Sequence, residues 1–156
     1  MKKKITTKHA IKALKKKSWY TRENGIMLAI LILLIAAVLI KAPAAMRDDR
    51  ENRTMMHARY MLNALSIYYG GHMGVWPSAL SDLVPANIEQ ILPEEFTGKN
   101  TVTVINEPVE ADLKSDAEPA FINGEGGWIY VPSNGGFFLN IKGKDSKGRP
   151  YWKYGH

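Results

Sequence analysis

The chain has 156 residues, no cysteine and a formal charge of +6. Thiol catalysis, thiolate metal sites and disulfide staples are thereby excluded, and the length suits one domain plus one membrane segment. The charge is unevenly spread: residues 1–25 hold nine Lys/Arg and one acid, Glu23, whereas the other 131 residues hold 12 basic and 14 acidic side chains, so the tail carries +8 and the rest −2.

The basic tail reads as a topology signal. Lys2, Lys3, Lys4, Lys8, Lys12, Lys15, Lys16, Lys17 and Arg22 precede an apolar run, and such charge stays on the cytoplasmic side of a membrane. Trp19 and Tyr20 stand where interfacial aromatics stand. Nucleic-acid binding asks for a basic patch on a folded face, which the −2 balance of the residues beyond the tail does not promise, so no nucleic-acid partner is expected.

Residues 26–40, IMLAILILLIAAVLI, are fifteen apolar residues without a polar break. At helical rise they span about 22 Å, short of a ~30 Å hydrocarbon core. Gly25 and Ala42 extend the run, and Lys41 can snorkel outward. A run this short suits either a membrane helix or the core of a signal peptide, and Ala42-Pro43-Ala44 has the small-x-small look of a cleavage site. Three segments follow: a cytoplasmic leader over 1–25, a transmembrane helix over 26–45 and an exported head over 46–156.

Pro43 removes a helical hydrogen bond and predicts a kink without forcing a stop; Asp48 or Asp49 can cap a helix restart, with Glu51 near the positive end of its dipole. Met55, Ala58, Leu62, Leu65 and Tyr69, widened by Met61 and Tyr68, form a stripe at helical spacing. Gly70 and Gly71 are expected to end the helix in the left-handed conformation. Pro77 opens a short helix that turns Leu80, Leu83 and Val84 inward and stops at Pro85. Ile88, Ile91 and Leu92 pin a loop to the core. Residues 101–105, TVTVI, read as a strand, and residues 107–120 as an acidic loop. Residues 127–131 and 137–141 flank Pro132-Ser133-Asn134-Gly135-Gly136 and read as a hairpin, with a last strand over 150–154. The fold class is α+β: a long N-terminal helix, half membrane-spanning and half amphipathic, packed on a small antiparallel sheet of three or four strands.

Taken in order, these pieces resemble the type IV pilin and type II secretion pseudopilin family. The resemblance rests on the basic leader, the single apolar helix that runs past a proline into an amphipathic one, and the glycine–aromatic–proline–leucine turn from Tyr68 through Trp76-Pro77 to Pro85. Gly126-Gly127-Trp128-Ile129-Tyr130-Val131-Pro132 and Asp145-Ser146-Lys147-Gly148-Arg149-Pro150-Tyr151 complete it. It implies a pilin-like filament subunit of a pilus or a protein-transport system. The subunit would be single-pass in the cytoplasmic membrane, its head periplasmic or extracellular. Partners so implied are other subunits and copies of itself, a prepilin peptidase that cuts and methylates, an inner-membrane assembly platform and membrane lipid. Gly25 and Ile26 then flank the processing site. Ile26, Leu28, Ile30, Leu31, Leu33, Leu34, Ile35, Val38 and Ile40 are the packing residues. The family expects glutamate at the fifth mature position. A cut after Gly25 puts Ile30 there, and a cut after Ser18 recovers Glu23 but places Trp19 first.

No enzymatic motif is present. Gly70-Gly71-His72-Met73-Gly74 lacks the lysine and hydroxyl residue of a phosphate loop. His9, His57, His72 and His156 are not at metal-ligand spacing. Asp112, Asp116, Glu118 and Asp145 could offer oxygens to calcium, but solvated loop charge is the simpler reading, and no cofactor is expected. Trp128, Tyr130, Phe137, Phe138, Tyr151, Trp152 and Tyr154 are read as sheet core. Three alternatives stay open: a small binding module released after Ala44, a small exported enzyme acting through carboxylates and histidines of the head, and a pilin-like DNA-uptake subunit, which would need a basic head face that the acidic balance beyond the tail argues against.

Overall fold

The computed structural model describes residues 22–156. The lysines of the leader, His9, Ser18, Trp19 and Tyr20 lie outside the described residues. The described chain belongs to two compact units divided between Pro43 and Ala44.

One helix, α1 (Arg22–Gly71), runs through 50 residues with Pro43 inside it. The helix runs past Pro43 without a stop, as expected, and the restart that Asp48 or Asp49 could have capped does not occur. Pro43 forfeits one hydrogen bond, while Ala42, Ala44 and Ala45 beside it are the best helix formers available. In its N-terminal unit the helix is exposed along the whole apolar run. In the head, residues of α1 at spacings of three and four are buried: Glu51, Thr54, Ala58, Met61 and Leu65, joined by Ala64. The expected stripe is thus rotated. Met61 is fully buried, Leu62 only partly so, and Tyr69 is 38% exposed. Two polar residues occupy the stripe's first turns.

Helix α1 does not end in a left-handed Gly70 or Gly71. Those glycines stay in the helix, and the positive φ falls on Met73 (56°) and Gly74 (82°). The turn closes when the Gly74 amide donates to the Tyr69 carbonyl at 3.0 Å. Tyr68 stacks on His72 and Tyr69 on Trp76 across it.

A 3-10 turn, Leu80–Leu83, follows and buries both of its leucines. Asp82 caps it by accepting from Ser78 Oγ and the Ala79 amide. Ile88 is buried and Ile91 partly buried, as expected for a loop held on the core. Trp128 Nε1 donates to the Leu92 carbonyl at 2.8 Å and fastens that loop further.

The sheet has three strands in the order β1 (Val102–Val104), β2 (Trp128–Val131) and β3 (Gly136–Leu139). β2 and β3 form the expected antiparallel hairpin, with Val131 opposite Gly136. β1 pairs parallel to β2, Val102 opposite Trp128, so the sheet is mixed rather than antiparallel. A parallel return needs a long connection, and the loop of residues 105–127 supplies it. Gly127 makes the junction possible: its φ is +76°, and a Cβ there would lie 2.5 Å from the Thr101 carbonyl oxygen.

Alternation along the strands sorts the core into two layers. Trp128, Tyr130, Phe137 and Leu139 face the α1 side with Ala58, Met61 and Leu65. Ile129, Val131 and Phe138 face the other way, against Ile122 and Trp152. Residues 150–154 are not a strand. Tyr151–Lys153 form a 3-10 turn, and only one bridge, Lys144 to Pro150, remains of the expected pairing. Pro150 has no amide to donate to a ladder, while the tight turn places Tyr151 and Tyr154 in one layer and Trp152 in the other. The architecture is α+β, a long helix packed on a small mixed sheet.

Candidate functional site: an exposed apolar helix and a carboxylate-locked head

The apolar residues of α1 are the structure's most unusual surface. Ile26, Leu28, Ile30, Leu31, Leu33, Leu34, Ile35, Val38 and Ile40 are all exposed, from 47% at Leu28 to 77% at Ile40. No part of that window is buried among the described residues, and the helix is long and apolar enough to cross a membrane. Soluble proteins rarely expose contiguous apolar surface on this scale. One exposed apolar N-terminal helix of this kind points to membrane anchoring or to secretion. Gly25 lies within the helix, and a Cβ added there would meet nothing within 4 Å. Its lack of a side chain therefore has no steric cause among the described residues.

In the head, chemistry concentrates where α1 meets the loop of residues 143–150. Glu51 is 3% exposed. Its carboxylate accepts from Arg47 Nε at 2.8 Å, Tyr151 Oη at 2.9 Å, Ser146 Oγ at 2.7 Å and the Ser146 amide at 3.1 Å. Burial alone would push this carboxyl up, but the bonds from Ser146, Arg47 and Tyr151 outweigh it and hold Glu51 below its ordinary range. Asp145 is a second such centre, 5% exposed. It accepts from the amides of Lys147 and Arg149, from the Arg149 guanidinium through Nε and Nη2 and from Tyr154 Oη. Burial again opposes the charge, and the Arg149 and Lys147 bonds win, so Asp145 also titrates low. Burial raises the Tyr154 phenol, with the Asp145 and Glu51 charges adding to it.

A third carboxylate, Glu94, is fully buried and receives the amides of Phe96, Thr97 and Lys99 and the Thr97 hydroxyl. Sequence reasoning assigned none of these three structural roles. Glu51 was expected at a helix start, where its charge would face the dipole, and Asp145 was a candidate calcium ligand.

The structure does not bring the candidate calcium oxygens together. Asp112 accepts from the Lys114 amide, Asp116 is paired with Lys144 and Lys153, Glu118 accepts from the Gly143 amide, and Asp145 is enclosed as above. No group of three metal-ligating side chains converges among the described residues. The described histidines are separate from one another. His57 Nδ1 donates to the Pro93 carbonyl, His72 Nδ1 to the Tyr68 carbonyl and His156 Nε2 to the Phe137 carbonyl. His57 thus fastens α1 to the Pro93 loop. The aromatic set sits where core was expected, all seven residues being buried. Tyr130 Oη donates to the Pro77 carbonyl, whereas Trp152 Nε1 is buried without a partner among the described residues.

The long apolar N-terminal helix followed by a small sheet is consistent with a pilin-like architecture. No protein-family model, curated protein or solved structure matches this chain.

Proposed function

We propose that the chain is a non-enzymatic subunit of a filament of the pilin or pseudopilin type. It is held in the cytoplasmic membrane through residues 26–40 before assembly, with its N-terminus cytoplasmic and its head exported. The observation that carries this reading is the helix itself: fifteen exposed apolar residues in an unbroken α1 whose later turns form the core face of the head. In a bundle of copies, such a surface finds its partner in its own kind. A prepilin-type peptidase cuts after Gly25, leaving Ile26 first; a glycine inside a helix costs roughly 1 kcal/mol against alanine, and at Gly25 no packing requires it. Copies of the chain, that peptidase and an inner-membrane assembly platform are its partners. The head's buried carboxylates are committed to structural bonds with Ser146, Arg47, Arg149 and backbone amides, which supports assembly rather than turnover as the work of the head.

The test is cross-linking between full-length copies carrying single cysteines across residues 26–40. Disulfides that recur every three to four positions support helix packing between copies; failure to cross-link at every position would contradict it. The division of the chain between Pro43 and Ala44 favours a second reading, a small binding module freed by cleavage after Ala44. Head protein beginning at Ala45 in the soluble fraction would establish that second reading.

A further inference from the structure

The head carries a recess of about 250 Å³ whose lining combines three cations, Arg59, Arg149 and Lys153, with the apolar surfaces of Met55, Pro150 and Tyr154. The cations are not fully used. Arg149 gives Nε and Nη2 to Asp145 and lies over the Tyr154 ring at 5.8 Å, which leaves its Nη1, 3.8 Å from the Met55 sulfur, as the donor still to be matched among the described residues. Arg59 is exposed and has no hydrogen-bond or ion-pair partner among the described residues. Asp116, at the same recess, bonds Lys153 Nζ at 2.9 Å. A carboxylate from the loop of residues 105–127 is therefore already accepted there.

The same loop presents the complementary chemistry. Residues 107–113 contain three acids, Glu107, Glu110 and Asp112, and no base. Asp112 is occupied by the Lys114 amide, but Glu107 and Glu110 are exposed and have no hydrogen-bond or ion-pair partner among the described residues. Leu113, three residues beyond Glu110, is 46% exposed. Free carboxylates in a loop that also exposes a leucine match the free guanidinium of Arg59, with the unengaged Nη1 of Arg149 beside it, over an apolar lining, and charge-assisted bonds from arginine to carboxylate are the strong ones.

We infer that the Arg59–Arg149 recess of one copy receives the Glu107–Glu110 loop of a second copy. Such a contact is heterologous, joining two different patches, so repetition propagates a chain of subunits rather than closing a dimer. It rests on the filament reading and adds a head-to-head specificity contact to it.

The absence of native cysteine allows a clean test. Two full-length copies with different tags are co-expressed, one carrying Asn63→Cys one turn from Arg59, the other Pro108→Cys between Glu107 and Glu110. Oxidation should link them in preference to 63–63 or 108–108 pairs. Arg59→Glu in the first copy should lower the yield about threefold, the range of an exposed ion pair. Glu107→Lys with Glu110→Lys in the second copy should restore it. A yield indifferent to Arg59→Glu, or not restored by the lysines, overturns the contact. Pull-down through one tag, without oxidation, separates the two levels: copies that co-purify while the cross-link ignores charge refute only this contact, and copies that fail to co-purify refute the filament reading with it.

Discussion

Glu51 shows how a residue's role follows from partners far away in sequence. From sequence it is one acid among several near an expected helix start. In the fold it is buried mid-helix, 95 residues from Ser146 and 100 from Tyr151, and no local spacing encodes those distances. Glu51→Gln keeps the shape but removes the charge that Arg47 and the Ser146 amide answer. It should destabilise the head by about 1–3 kcal/mol, read as a lowered denaturation midpoint in tryptophan fluorescence of the detergent-solubilised chain. The pH dependence has a definite sign. Glu51 and Asp145 are both held below their ordinary values near 4.5 and 3.8, so their contribution is complete above those values and is lost as pH falls through the lower folded ones. Head stability should therefore decline as pH drops below about 4.5, and Glu51→Gln should flatten that decline in thermal melts taken across the range.

Among elements, those written in local pattern are the ones the sequence makes legible. The apolar run and the amphipathic turns of α1 are periodic, and the hairpin of β2 and β3 announces itself through alternation and an Asn-Gly turn. The direction of β1 is not local. It depends on where the acidic loop returns, and Gly127 is the one sequence trace of that return. Gly127→Ala should cost roughly 1–3 kcal/mol through strain at positive φ. Hydrogen exchange should quicken at the Trp128 amide, which donates to Thr101, while amides at the β3 side of the hairpin stay protected. The 3-10 turn at Tyr151–Lys153 was illegible for a related reason: an aromatic run such as Tyr151-Trp152-Lys153-Tyr154 suits a strand, and only the placement of Tyr151 and Tyr154 in one layer and Trp152 in the other decides otherwise. The proposed membrane anchoring of the apolar run has its own test. Leu33→Glu places a charge in the apolar run at a cost of about 3 kcal/mol for a spanning helix, and should shift the chain from the carbonate-resistant membrane fraction towards the soluble one.

At the scale of the molecule, an apolar helix of this exposure is a surface that needs a partner. The exposed apolar run was readable from composition alone, because hydrophobicity is an additive property. The internal wiring of the head was not, because it depends on pairs distant in sequence. On the filament reading, residues 26–40 stay with the head after processing, so that the same helix anchors the subunit and packs it among its copies. Mass spectrometry of the native N-terminus tests this most directly. A filament subunit should yield a mature chain beginning at Ile26, with the whole apolar run retained; a mature chain beginning at Ala45 would rule that reading out.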